Sequence, residues 1–110
     1  MRMYNGTTPT YRGTTPTHIF EIPTEVASSV KEIKITYSQR DREILVKRTG
    51  DCTIVGSTIT TKLTQEDTFK FECNAMVAIQ IRVLTTSGDA LISEPITITV
   101  GKCLDEEILV

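Results

Sequence analysis

Tryptophan is absent from this chain, histidine occurs once, and the three cysteines stand far apart at positions 52, 73 and 103. With no Cys-x-x-Cys spacing and a single histidine, a zinc site built from His18 and the three cysteines reaches the ligand count but fails on spacing, since structural sites bring their ligands in close pairs. No Asp-x-Asp-x-Asp-Gly calcium loop and no glycine-rich phosphate loop occurs. Neither a metal nor another cofactor is therefore expected. No apolar run approaches the ~20 residues that cross a bilayer, and residues 1–6 lead into Thr and Pro instead of a signal-peptide apolar core. Cytoplasmic synthesis, free thiols and no membrane partner follow as expectations. A surplus of cations is also missing. Twelve Lys and Arg face 14 Asp and Glu, for a net charge of −2. A nucleic-acid binder replaces phosphate counterions with clustered cations, so that partner class is not expected either.

Alanine is scarce, while Thr, Ile and Val dominate. β-branched side chains fit a pleated surface and lose rotamer freedom in a helix, so the composition points to an all-β protein. A chain of 110 residues is one domain, able to bury roughly two thirds of its unfolded surface. Its most regular pattern is residues 77–84, where Val77, Ile79, Ile81 and Val83 alternate with Ala78, Gln80, Arg82 and Leu84. Alternation with period two places the odd positions on one buried face of a strand. The even face mixes apolar and polar groups, which marks Arg82 and Leu84 as candidate partner-binding residues.

The N-terminal region carries a tandem repeat. Residues 4–10 and 11–17 coincide at six of seven positions in the form Tyr-x-Gly-Thr-Thr-Pro-Thr. Gly and Pro in each unit exclude a helix, and Pro extends the residue before it. Only the second copy leads into an apolar run, residues 18–22. Residues 1–12 are thus expected as an extended arm, residues 13–103 as the folded domain and residues 104–110 as a tail.

Within the domain, residues 31–38 predict a half-buried strand with Ile33, Ile35 and Tyr37 inward, followed by a return strand with Ile44 and Val46 inward. Ile54, Ile59 and Leu63 are expected as anchors of a hairpin around Gly56. Thr64 with Asp67 three positions on is a helix-start signal, and Phe69 and Phe71 limit the helix to one turn crossing between sheets. In the last strand, Pro95 marks an edge or bulge, with Ile92, Ile96, Ile98 and Val100 sharing a face. The fold class is an immunoglobulin-like antiparallel β-sandwich of about seven to eight short strands, with one short helical turn near residues 64–69.

Candidate chemistry is sparse. A Cys–His dyad needs a cysteine brought to His18 in an electropositive pocket, of which the sequence gives no sign. Glu66-Asp67 and Asp105-Glu106-Glu107 are adjacent carboxylates, which do not face one another across a substrate. Arg40, Arg42, Lys47 and Arg48 gather on one hairpin without interleaved aromatics, as a solvated strand edge does. No catalytic, cofactor-binding or metal-ligating residue is assigned, and the expected mode of action is binding.

Residues 12–20, 63–71 and 81–91 together resemble a family of small proteins encoded by prophages and phages of Gram-positive, gut-type bacteria, usually near virion structural genes. The likeness runs from about Arg12 to the last residue, and the family has no assigned chemistry. A looser similarity is to the N-terminal immunoglobulin-like domains of phage upper-baseplate proteins. The resemblance implies a non-enzymatic virion structural or accessory protein of a tail, baseplate, neck or capsid, whose partners are other virion proteins and further copies of itself. Its alternative is a soluble phage-encoded regulatory protein that masks a host protein. Under either reading the candidate partner-binding residues are Tyr4, Thr7, Thr8, Pro9 and Tyr11 of the arm, Arg82 and Leu84 of the central strand, and Ile108 and Leu109 of the tail. Extended arms commonly bind by adding a strand to a sheet edge.

Overall fold

The computed structural model of the chain describes residues 2–4 and 10–110. In chain order the strands are β1 (Arg2–Tyr4), β2 (Thr10–Tyr11), β3 (Thr17–Glu21), β4 (Val30–Gln39), β5 (Arg42–Arg48), β6 (Cys52–Val55), β7 (Thr58–Lys62), β8 (Val77–Thr85), β9 (Ala90–Ile92), β10 (Ile96–Ile98) and β11 (Val100–Gly101), with short helices α1 (Thr24–Ala27) and α2 (Gln65–Phe69). One sheet has the order β1-β3-β7-β6 and the other β10-β8-β4-β5, with β9 also paired to β8. Buried side chains of both sheets form one core. The fold is the expected all-β antiparallel sandwich, and among the described residues its two sheets hold nine strands, more than the seven to eight expected, because β1 pairs with β3 as the outermost strand of the first sheet. Its strand order differs from that of antibody constant domains. β4 lies between β5 and β8, whereas in antibody constant domains the second strand belongs to the opposite sheet.

The alternation of residues 77–84 holds along β8. Val77, Ile79, Ile81 and Val83 are at most 2% exposed. Cross-strand partners Ile33, Ile35 and Tyr37 of β4 share that inner face. Phe20 of β3 and Ile59 of β7 close it from the opposite sheet. Each such side chain contributes about 1.5–3 kcal/mol on burial, so the residues on β8 and β4 account for much of what opposes chain entropy.

Three expected orientations are corrected, each where the period-two rhythm breaks or a strand lies at an edge. In β5 the buried residue is Leu45, while Ile44 and Val46 are only partly buried. Ser38 pairs with Glu43 but Tyr37 pairs with Leu45, so Ile44 is the extra residue of a β-bulge, and a one-residue slip moves every later side chain to the other face. Lys47 consequently points inward. Ile54 was expected as an anchor and is 38% exposed, because β6 is the outermost strand of its sheet, whereas its partner Ile59 on the enclosed β7 is fully buried. Ile92 is 59% exposed. It pairs with Arg82, whereas Ile96 pairs with Ile79, so the four-residue step from 92 to 96 spans a three-residue step on β8. The extra residue lies around Pro95, as its missing N–H requires, and reverses the parity of Ile92.

The turn before the bulge is Arg40-Asp41, with φ of 52° and 61°. Positive φ at both central residues is the requirement of a type I′ hairpin turn, which glycine meets and an ordinary L-residue meets at a cost. Asp41→Gly is expected to stabilise the protein by about 1 kcal/mol, read as a melting temperature raised by about 4 °C. An unchanged or lowered value would mean that the turn is not strained.

The predicted helical turn is α2, which crosses from β7 to β8. Thr64 Oγ1 accepts from the Asp67 N–H at 3.1 Å, and the Thr64 N–H donates to Asp67 Oδ2 at 2.9 Å, a reciprocal cap. Phe71 is the core plug, 1% exposed, with its ring 5.9 Å from that of Tyr37. Phe69 instead lies over Gly13, whose φ is +83° and where a Cβ would stand 2.7 Å from the Phe69 ring. The second repeat copy is stitched to α2: the Gly13 N–H donates to Thr68 Oγ1, that hydroxyl donates to the Thr14 carbonyl, and the Leu63 N–H donates to the Pro16 carbonyl. Of the first copy, Tyr4 lies in β1, which pairs with β3, and Thr10 lies in β2, which runs parallel to β11.

Candidate functional site

The outer face of the five-stranded sheet is where the two β8 candidates lie. Lys34 on β4 is the cross-strand partner of Arg48 on β5 and of Arg82 on β8, so three cations form one row across three adjacent strands. With strands about 4.8 Å apart, the row spans about 10 Å. Like charges directly opposite each other cost up to about 1 kcal/mol per pair. Among the described residues, the side chains of Arg48 and Arg82 form no ion pair, although the Arg48 backbone N–H donates to Asp51 Oδ2 at 3.0 Å, and Lys34 pairs with Glu43 at 3.7 Å. A groove of about 200 Å³ runs beside the row, with the acidic Glu32 as well as Leu84 and Ala90 among its walls, and exposed Ile92 ends the row next to Arg82. Three cations beside aliphatic surface, offset only in part by Glu43 and Glu32, suit an anionic segment that also carries apolar side chains.

The basic hairpin read from sequence does not act as a unit. Arg40 pairs with Glu72 at 3.0 Å, Lys47 turns inward to Asp67 at 2.7 Å, and Arg48 joins the row. Lys34 and Arg48 are the functional candidates that sequence reasoning missed. The outward parity of Lys34 was legible, but its alignment with Arg48 and Arg82 depends on the strand register.

The remaining candidates are dispersed. Thr7, Thr8 and Pro9 lie outside the described residues. Tyr4 contributes backbone to β1 opposite Ile19. Tyr11 is 53% exposed, with its ring packed against Gly101, where no Cβ fits. Ile108 and Leu109 lie against α2, where the Gln65 side chain holds both backbone groups of Leu109, donating to its carbonyl and accepting from its N–H at 2.9 Å each. Glu106 pairs with Arg12 at 2.6 Å, and Arg12 also donates to the Phe69 carbonyl and lies over the Phe69 ring.

The titratable groups inside the sandwich are arranged for packing. His18 is fully buried, its Nδ1 shares a 2.7 Å hydrogen bond with the Tyr37 hydroxyl, and burial lowers its pKa to about 4. Its Nε2 has no partner among the described residues. Burial, with the negative charge of Asp67 adding to it, pushes the Tyr37 hydroxyl up, so it stays protonated. Burial also raises the Cys52 thiol despite a hydrogen bond from Thr61, which disfavours the thiolate needed for nucleophilic attack. His18 and Cys52 are both register partners of Thr61, so the two lie two strand spacings, about 10 Å, apart. Burial alone would raise the Asp67 carboxyl. The hydrogen bond from Lys47 and those of Thr64 outweigh it and hold Asp67 below the usual range.

Among the described residues, no group of three or more His, Cys, Asp and Glu side chains is placed to hold a metal ion, and no helix is long and apolar enough to cross a membrane. No protein-family model matches the chain, and no curated protein matches it.

Proposed function

We propose that the chain is a non-enzymatic protein-binding module of a phage or prophage virion, a structural or accessory part of a tail, baseplate, neck or capsid, which receives an acidic segment of a neighbouring virion protein on the outer face of its five-stranded sheet. The observation that carries the binding mode is the row Arg48–Lys34–Arg82, three aligned cations of which, among the described residues, only Lys34 forms an ion pair, with Glu43 at 3.7 Å. A row that costs folding stability is accounted for when a partner's carboxylates complete it. The virion setting rests on the resemblance of residues 12–20, 63–71 and 81–91 to phage-encoded proteins.

The test is incorporation. In purified particles from a host carrying the gene, quantitative mass spectrometry is expected to find the wild-type protein in stoichiometric amount. A Lys34→Glu/Arg82→Glu variant with unchanged circular dichroism is expected to fall at least tenfold. Absence of the wild-type protein from particles would remove the virion reading, and equal incorporation of the variant would remove the cationic face from it.

A further inference from the structure

The outer sheet face has a complementary surface on the same molecule, at the opposite pole of charge. Residues 105–107, Asp-Glu-Glu, form the only run of three consecutive carboxylates in the chain. They are held at the surface by the docking of the tail on α2. Gln65 grips the Leu109 backbone and Arg12 takes Glu106, while Glu66 of α2 borders the same groove as Ile108. Glu106 itself remains 65% exposed. Asp105 accepts the Glu107 N–H at 2.8 Å, and among the described residues neither Asp105 nor Glu107 faces a cation. Leu104 beside them is 95% exposed. The docked tail thus presents two carboxylates without an ion pair and an aliphatic side chain, and the sheet face presents Arg48 and Arg82, whose side chains form no ion pair among the described residues, beside Leu84 and Ile92.

We propose that the acidic segment received by the Arg48–Lys34–Arg82 row is the docked tail, Leu104 to Glu107, of a second copy of this chain. This deepens the reading of the sheet face as a protein-binding surface and rests on it. Residues two apart lie at most about 7 Å apart along the chain. Asp105 and Glu107 therefore fit within the ~10 Å row, with the long Arg side chains covering the difference. The contact joins two different surfaces, so each copy keeps one free face and one free tail. A heterologous contact of this kind grows into a ring or a filament, depending on whether the rotation between copies closes. Because the charges are exposed, the association weakens as salt rises above the concentration where the screening length falls below about 10 Å.

Sedimentation velocity of the full chain tests this by charge reversal. In low salt the wild-type protein is expected to associate with rising concentration and to return to monomer in 0.5 M NaCl. Lys34→Glu/Arg82→Glu gives an acidic face and an acidic tail, and Asp105→Lys/Glu107→Lys gives a basic face and a basic tail, so each alone is expected to be monomeric. Their equimolar mixture is expected to associate again, which neither nonspecific aggregation nor misfolding reproduces. Wild-type protein that stays monomeric in low salt, or a mixture that stays monomeric, overturns the proposal. A fluorescent deca-glutamate peptide separates the two levels of failure. If the wild type does not self-associate but binds this peptide, and Lys34→Glu/Arg82→Glu lowers the affinity at least tenfold, the second copy is wrong and the acidic-segment face stands. If the peptide does not bind either, both readings fall.

Discussion

Ile81→Asp is expected to abolish folding, while Arg82→Glu, one residue on, leaves the protein folded and slightly more stable. Ile81 is fully buried between the sheets, opposite Ile35. Removing its side chain from the core forfeits about 3 kcal/mol of burial. Placing a carboxyl there without a hydrogen-bond partner adds a desolvation cost of several kcal/mol, whether the group ionises or takes up a proton. The sum is of the order of the whole stability of a small domain, about 5–15 kcal/mol. Arg82 stands on the other face, exposed and directly opposite Lys34. Glutamate there exchanges a like-charge pair for an opposite one, worth up to about 1 kcal/mol in favour of folding. Urea unfolding followed by circular dichroism measures both. Sound folding of Ile81→Asp would mean that the two faces of β8 are reversed. Marked destabilisation by Arg82→Glu would show that the cationic row supports the fold and is not held ready for a partner. Gained stability together with lost association is the signature of a residue kept for binding.

The second large effect is loss of stability as pH falls from about 6.5 to about 4. His18 is buried with its pKa lowered to about 4, while in the unfolded chain it titrates near its ordinary 6.5. Between those values the unfolded state binds a proton that the folded state does not. Stability therefore rises with pH across the window and is lost as pH drops through it, by about 3 kcal/mol in all. Below pH 4 both states are protonated at this site and the contribution ceases. Asp67 acts in a separate, lower window. Its folded pKa lies below its ordinary value, so the stability it contributes is present above about pH 4 and fades as pH falls through the folded value. Urea midpoints at pH 7.5, 6.0, 5.0 and 4.5 are expected to fall steadily for the wild type and to stay nearly level for His18→Gln, which keeps a hydrogen-bonding group near the Tyr37 hydroxyl but does not titrate. Parallel slopes for the two proteins would show that His18 is not the group responsible.

Much of the architecture was legible because strand alternation and capping are local. The inner face of β8, the inner face of β4 and the cap of Thr64 with Asp67 all follow from neighbours a few residues apart, where backbone geometry fixes side-chain direction. The errors at Ile44, Ile54 and Ile92 share one source. Two bulges, one at Ile44 and one around Pro95, add a residue whose effect on parity is visible only against the partner strand, and the exposure of Ile54 depends on which strand ends the sheet. The candidate site was half legible for the same reason. Arg82 and Leu84 stood out on the mixed face of a regular strand, whereas Lys34 and Arg48 looked like ordinary surface cations on strands of their own.

The amino-acid sequence by itself determined that this is a small all-β sandwich, which residues of β8 and β4 build its core, and where the helical turn α2 crosses between sheets. Composition, period-two alternation and capping are properties of short segments and survive without knowledge of their partners. Only the tertiary structure decided that Lys34, Arg48 and Arg82 form one row and that the acidic tail is held on α2 by Gln65. Both depend on registers and contacts between residues distant in the chain, Lys34 from Arg82 and Gln65 from Leu109, and those are set by the packing of the whole core.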